Sequence, residues 1–139
     1  MQHESNHKTV PVLIHPEECE QEGWDDPAKG GVLWWTLLSA DRTPSHSMTC
    51  GVAEIGVGEA GALIKHKHAQ AEVYHVLSGE GVVTIEDEAY AVRAGSTMFI
   101  PGNLEHGTRN TGQEPLRLFY IFAVDSFAEV IYEFPGLTT

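Results

Sequence analysis

The sequence predicts an all-β chain folded as one domain, a jelly roll of two packed antiparallel sheets. Three observations carry that expectation. Short runs rich in Val, Ile, Thr, Leu and aromatic residues recur along most of the chain. Turns containing glycine separate them at roughly 8 to 12 residues, the spacing of sandwiches and barrels. The length, 139 residues, suits one core.

The elements follow in order. Residues 1–15 are polar and read as an N-terminal arm, with His3, His7 and His15 solvated. "PEECEQEGW" (16–24) looks locally helical, since Glu and Gln tolerate a helix well. "GVLWWTLLSA" (31–40) and "MTCGVAEIGV" (48–57) are strands. "GEAG" (58–61) is a turn, followed by "ALIKHKH" and "EVYHVLS". "VVTIE" and "YAVR" form a hairpin around "DEA". "GSTMFIPGN" is a strand that ends at Pro101, and "HGTRN" is a short one. "LRLFYIFAV" (116–124) is apolar enough to cross the core, and "EVIYEF" (129–134) is a closing strand.

Composition narrows the function. Twenty acidic against eight basic residues give a net charge of −12. Nucleic acid and anionic membranes reward clustered Lys and Arg, so neither is an expected partner. No apolar run approaches the ~20 residues of a membrane span. The N-terminus lacks a basic flank followed by an apolar stretch, so no signal peptide is read and the cytoplasm is expected. Cys19 and Cys50 make no disulfide framework and read as reduced thiols. The charge is compatible with a cationic or zwitterionic small substrate, and an exposed edge strand would favour a dimer of the chain.

The chemistry concentrates in "HKHAQAEVYHVLSGEG" (66–81). Residues two apart on a strand share a face, so His66 goes with His68, and Glu72 with Tyr74. A hairpin between the two strands would bring His66, His68 and Glu72 to one point. A further candidate, His106, follows the Pro101 turn. One histidine in a strand is most often a hydrogen-bonded core residue. Four such groups buried without partners would cost several kcal/mol, and a divalent metal such as Fe(II), Mn(II), Ni(II) or Zn(II) removes that cost.

These residues resemble the two motifs of the cupin superfamily. "GALIKHKHAQAEVYHVLSG" (61–79) resembles the first, with His66, His68, Glu72 and Gly79. "GSTMFIPGNLEHGTRN" (95–110) resembles the second, with Gly95, Pro101, His106 and Asn110. Two turn positions depart from the pattern: Gly61 stands one residue closer to His66 than usual, and Asn103 replaces a glycine, with Gly102 beside it. The resemblance implies a double-stranded β-helix over residues 16–139 and a metal held by His66, His68, Glu72 and His106, with Fe(II) or Mn(II) favoured. Asn110 is expected to support His106.

Within that superfamily the chain resembles the small bacterial dimethylsulfoniopropionate lyases. They carry a tyrosine two residues after the glutamate, matched by Tyr74, and a second near the C-terminus, matched by distance by Tyr132. The resemblance implies a β-elimination that releases dimethyl sulfide and acrylate, with a tyrosine as general base. Aromatic faces suit the sulfonium, and Trp34, Trp35, Phe99, Tyr120 and Phe122 are available for it. One of Trp34 and Trp35 is expected to face the cavity. Arg117 is a candidate carboxylate anchor, or a partner of Glu54. A dioxygenase, a sugar or sugar-acid isomerase and a non-catalytic binding cupin remain as alternatives.

Overall fold

The computed structural model describes residues 9–58 and 61–135. Histidines 3 and 7 lie outside the described residues. Ten strands follow a short 3-10 turn at Pro16–Glu18: β1 (Gln21–Asp26), β2 (Gly30–Leu38), β3 (Thr49–Ile55), β4 (Ala62–His66), β5 (Glu72–Ser78), β6 (Glu80–Ile85), β7 (Glu88–Arg93), β8 (Thr97–Ile100), β9 (His106–Asn110) and β10 (Leu116–Phe122). The ladder runs β7-β6-β9-β4-β2-β3-β10-β5-β8, with β1 added to β2. Between β2 and β4 the ladder holds by the single pair Gly30–Leu63. The fold therefore divides into two sheets that share one core, as a jelly roll does. No helix among the described residues is long and apolar enough to cross a membrane.

β10 shows how the sequence builds the core. Leu116, Leu118, Tyr120 and Phe122 are buried, while Arg117, Phe119 and Ile121 between them face outward. It pairs with β3 on one side and β5 on the other. Tyr120 and Tyr74 stand directly opposite each other on that second ladder.

Three local expectations are corrected. The helical reading of 16–24 reduces to the turn at Pro16–Glu18, and Gln21–Asp26 is a strand paired with β2 over six residues. Gly23 weakens any helix there, and sheet pairing overrides what propensity remains. Residues 129–134 form no strand. The chain makes a 3-10 turn at Phe127–Glu129 and then a single bridge, Lys67 to Glu133. Finally, β4 and β5 form no hairpin: β4 lies against β9, and β5 lies between β10 and β8. The segment between them crosses from one sheet to the other, so the candidate residues meet across the barrel.

Candidate active site

His66 is the last residue of β4, and a register shift separates it from Leu63 in the pairing with β9. Leu63 lines the central cavity, yet His66, three residues on, also points into the barrel. That odd spacing breaks strand parity, and a bulge is what re-aims a side chain in this way. His68 follows in the crossing segment. Its carbonyl accepts the N–H of Asn103 at 2.8 Å, which fixes the 101–105 turn beside it. Asn103 has φ +67°, the left-handed region in which asparagine substitutes for glycine. The second-motif departure thus keeps the turn. Gly102 is needed for contact, because a Cβ there would stand 2.2 Å from the Ala69 carbonyl oxygen. His106 opens β9, opposite His66 on the ladder.

The three rings converge. Centroid separations are 5.7 Å for His66–His68, 4.4 Å for His66–His106 and 4.9 Å for His68–His106. Each Nδ1 faces a backbone carbonyl, that of Ile64 at 2.8 Å for His66, Gln70 at 2.9 Å for His68 and Leu104 at 2.9 Å for His106. A carbonyl only accepts, so each Nδ1 carries the proton, and in the neutral ring Nε2 presents a lone pair. All three Nε2 atoms are buried and have no hydrogen-bond partner.

Glu72 enters from β5. Its Oε1 lies 3.2 Å from His68 Nε2 and 3.5 Å from His106 Nε2, also without a hydrogen bond. Lone pairs and a carboxylate oxygen gathered in a dry interior repel one another unless a cation stands among them. The three histidines, whose ligand atoms lie within 4.8 Å of one another, fit a divalent metal ion, and the Glu72 carboxylate stands beside them. Burial, with His106 next, lowers the pKa of His66 to about 3, so this ring is neutral at ordinary pH. For Glu72 burial pushes upward, but contact with His106 and His68 outweighs it and the carboxyl is held below its usual range.

The C-terminal segment completes the site. Lys67 and Glu133 exchange backbone N–H···O bonds of 2.9 Å in both directions. Lys67 separates the two histidines, and neighbours on both sides of a bridge point the same way. Tyr132 and Phe134 are therefore turned toward His66 and His68. The Tyr132 ring lies 5.0 Å from His66 and 5.3 Å from His68, and Phe134 lies 5.4 Å from His66.

Beside the cluster is a narrow cavity, about 40 Å³, walled by Trp24, Trp34, Tyr74, Tyr120, Phe127 and Tyr132 with aliphatic residues between them. Glu72 is the single charged residue among the described lining. Four of the rings close a circuit. Trp24–Trp34 is 4.9 Å, Trp34–Phe127 6.3 Å, Phe127–Tyr132 6.2 Å and Tyr132–Trp24 5.5 Å, all near edge-to-face. Tyr74 is buried in the wall, 6.4 Å from the His106 ring. Burial first, and then the Glu72 charge, raise the hydroxyl pKa of both Tyr74 and Tyr132 well above the ordinary value.

Several candidates lie elsewhere. Trp34 lines the cavity, whereas Trp35 lies on the outer face with the Arg117 guanidinium 5.7 Å away. Arg117 binds Glu54 at 2.9 Å on that outer face, so it is no carboxylate anchor. Phe99 is exposed, and Phe122 packs on His68 at 5.1 Å. Asn110 does not support His106. It donates to the carbonyls of Ile55 and Glu114 and accepts from Gly112 N–H, bracing the following turn. His75 binds Thr97 Oγ1 at 2.7 Å on the outer face, as strand parity predicts. Sequence reasoning missed Trp24 and Phe127. Gly23, just before Trp24, was the available signal against the helical reading, and Phe127 had none.

Comparison with known proteins accords with this geometry. Residues 51–122 match the model of the cupin domain. The dimethylsulfoniopropionate lyase DddW of Ruegeria pomeroyi is 40% identical over 124 residues, covering 89% of this chain and 80% of that one. An uncharacterised protein of Methanocaldococcus jannaschii is 34% identical, over 65% of this chain and 71% of that one. Among solved structures, the polyketide cyclase RemF of Streptomyces resistomycificus superimposes with a TM-score of 0.71 at 17% identity, over 89% and 84% of the two chains. A predicted oxalate decarboxylase of Thermotoga maritima gives 0.68 at 22% identity, over 81% and 99%. Matched over more than half its length by the cupin model, and built as a jelly roll around three converging histidines, this chain belongs to the cupin family.

Proposed function

We propose that this chain is a metal-dependent lyase that splits dimethylsulfoniopropionate into dimethyl sulfide and acrylate. The observation that carries the reading, beside the 40% identity to a lyase of that substrate, is the cavity. Its described wall is aromatic and, apart from Glu72, uncharged. The second carboxylate of a dicarboxylate would require a Lys or Arg there, and the described lining holds neither. A short acid with an onium tail requires one anion site and a set of ring faces.

His66, His68, Glu72 and His106 would hold one divalent ion. Fe(II) or Mn(II) is favoured, and Ni(II) and Zn(II) suit the same donors. When bound, such an ion supplies a Lewis acid for the substrate carboxylate and a positive charge that favours a nearby phenolate. Trp24, Trp34, Phe127 and Tyr132 would surround the sulfonium. Tyr74, on the same strand face as Glu72, is the proposed base, with Tyr132 as the second candidate. The base takes the proton from the carbon next to the carboxylate, that C–H pair becomes the new C=C bond, and the C–S pair leaves with dimethyl sulfide.

The test is headspace detection of dimethyl sulfide from metal-reconstituted protein without oxygen. Turnover of dimethylsulfoniopropionate with equimolar acrylate is expected. Oxygen consumption on another substrate, with no dimethyl sulfide, would establish a dioxygenase instead.

A second copy of the chain is the proposed partner, and nucleic acid and anionic membranes are not, given the charge of −12. The surface proposed for it is the outer face of β2, β3, β10, β5 and β8, which carries Leu33, Trp35, Phe119, Leu77 and Phe99. Its described charges include the mutually neutralising pair Glu54–Arg117, which favours contact between like-charged copies. Light scattering is expected to give twice the monomer mass, and Phe99→Glu to give a monomer. A monomeric wild type would remove this proposal.

A further inference from the structure

After β10 ends at Phe122, the chain has no ladder until the Lys67–Glu133 bridge. Phe127 lies in that interval, yet it forms one wall of the aromatic circuit against Trp34 and Tyr132. Its ring packs on Tyr120 and Phe122, each at 6.1 Å, and its backbone is held by a group of polar residues at the end of β2. The Ser39 side chain is fully buried, and its Oγ accepts the N–H of Phe127 at 2.9 Å. Ser39 Oγ in turn donates to Asp41 Oδ1. Ser126 Oγ donates to the same oxygen at 3.1 Å. The loop between β2 and β3 and the segment after β10 are joined twice more, by Ala40 N–H to the Asp125 carbonyl at 2.7 Å and by Ser47 N–H to Asp125 Oδ1 at 2.7 Å. The same loop reaches β1, the strand of Trp24, through Arg42 and Glu22 at 3.0 Å.

We propose that Ser39 and Asp41 are positioning residues that set where the Phe127 wall stands, and through it the fit of the onium end of the substrate. This rests on the reading of the aromatic circuit as the sulfonium subsite. The histidine cluster and Tyr132 have their own anchor in the Lys67–Glu133 bridge, so the clasp of Ser39, Asp41 and Ser126 acts first on the Phe127 end of the cavity. Asp41 is itself solvent-exposed. Its carboxyl is held below the usual range, chiefly by the bond from Ser39.

The experiment compares Asp41→Ala, Asp41→Asn and Ser39→Ala with wild type in two arms. The first needs no substrate. Hydrogen exchange at the Phe127 amide should quicken about fivefold in Asp41→Ala and Ser39→Ala while β10 amides keep their protection. Asp41→Asn retains an acceptor oxygen and should stay within about twofold of wild type. Unchanged exchange in Asp41→Ala and Ser39→Ala would overturn the proposal. The second arm measures turnover of dimethylsulfoniopropionate by metal-loaded protein. KM should rise about fivefold in Asp41→Ala with kcat and metal content within about twofold, and Asp41→Asn should restore it. A parallel fall of kcat and metal content would mark a general structural role and defeat it. A wild type that does not turn over this substrate would sink the lyase reading, and the clasp would then be decided by the first arm.

Discussion

His106→Ala is expected to abolish stable metal binding. His106 is fully buried, and its Nε2 has no partner but the space shared with His66, His68 and Glu72. Removing one donor of four should weaken affinity by about a hundredfold or more, beyond the loss usual for a residue that merely supports a ligand. After dialysis the variant should retain little metal where wild type retains one ion per chain. A thermal readout should agree. At about a hundredfold excess over Kd, metal binding stabilises wild type by about 2.7 kcal/mol, and that gain should vanish in the variant. The metal-free variant should lose less than a cavity of this size usually costs, because one uncompensated buried lone pair is removed with the ring. Full retention of metal by His106→Ala would remove His106 from the ligand set.

Tyr74→Phe should keep the metal and lose the elimination. Loss of a general base costs about 10²- to 10⁴-fold in kcat, and the substitution removes one oxygen from a buried ring that still fills its place between Tyr120 and Met98. Tyr132→Phe, in the same assay, should lose about tenfold or less, as befits a cavity wall that contributes packing and a polar edge. The reverse order would transfer the base to Tyr132, whose ring lies against His66 and His68. Both hydroxyls are pushed up in pKa by burial and by the Glu72 charge. Neither is therefore a phenolate source on its own, and activity should disappear with the metal in every variant. Near wild-type turnover in both would end the tyrosine mechanism.

Much of this site was legible in the chain. His66, His68, Glu72 and His106 stand at cupin spacings, and the alternation of β5 correctly placed Glu72 and Tyr74 inward and His75 outward. Where no bulge intervenes, the parity of a strand is a local property and survives whatever the strand pairs with; the bulge before His66 is the exception. The predicted β6–β7 hairpin was legible for the same reason, since its turn spans two residues, Glu86 and Asp87. Trp34 and Trp35 mark the limit of that logic. Their opposition was certain, but which of them faced inward depended on the sheet's partner.

What the sequence by itself determined was the candidate donors, the inward faces of Glu72 and Tyr74 and the family the chain belongs to. Short-range geometry and residue chemistry suffice for those. Tertiary structure decided how the donors meet. It placed β4 and β5 in different sheets, put a bulge before His66, made a strand of Gln21–Asp26 and laid Phe127 and Tyr132 across the end of the barrel. Each of these is settled by which apolar surfaces are buried together, an energy shared among residues far apart in sequence and invisible in any single stretch.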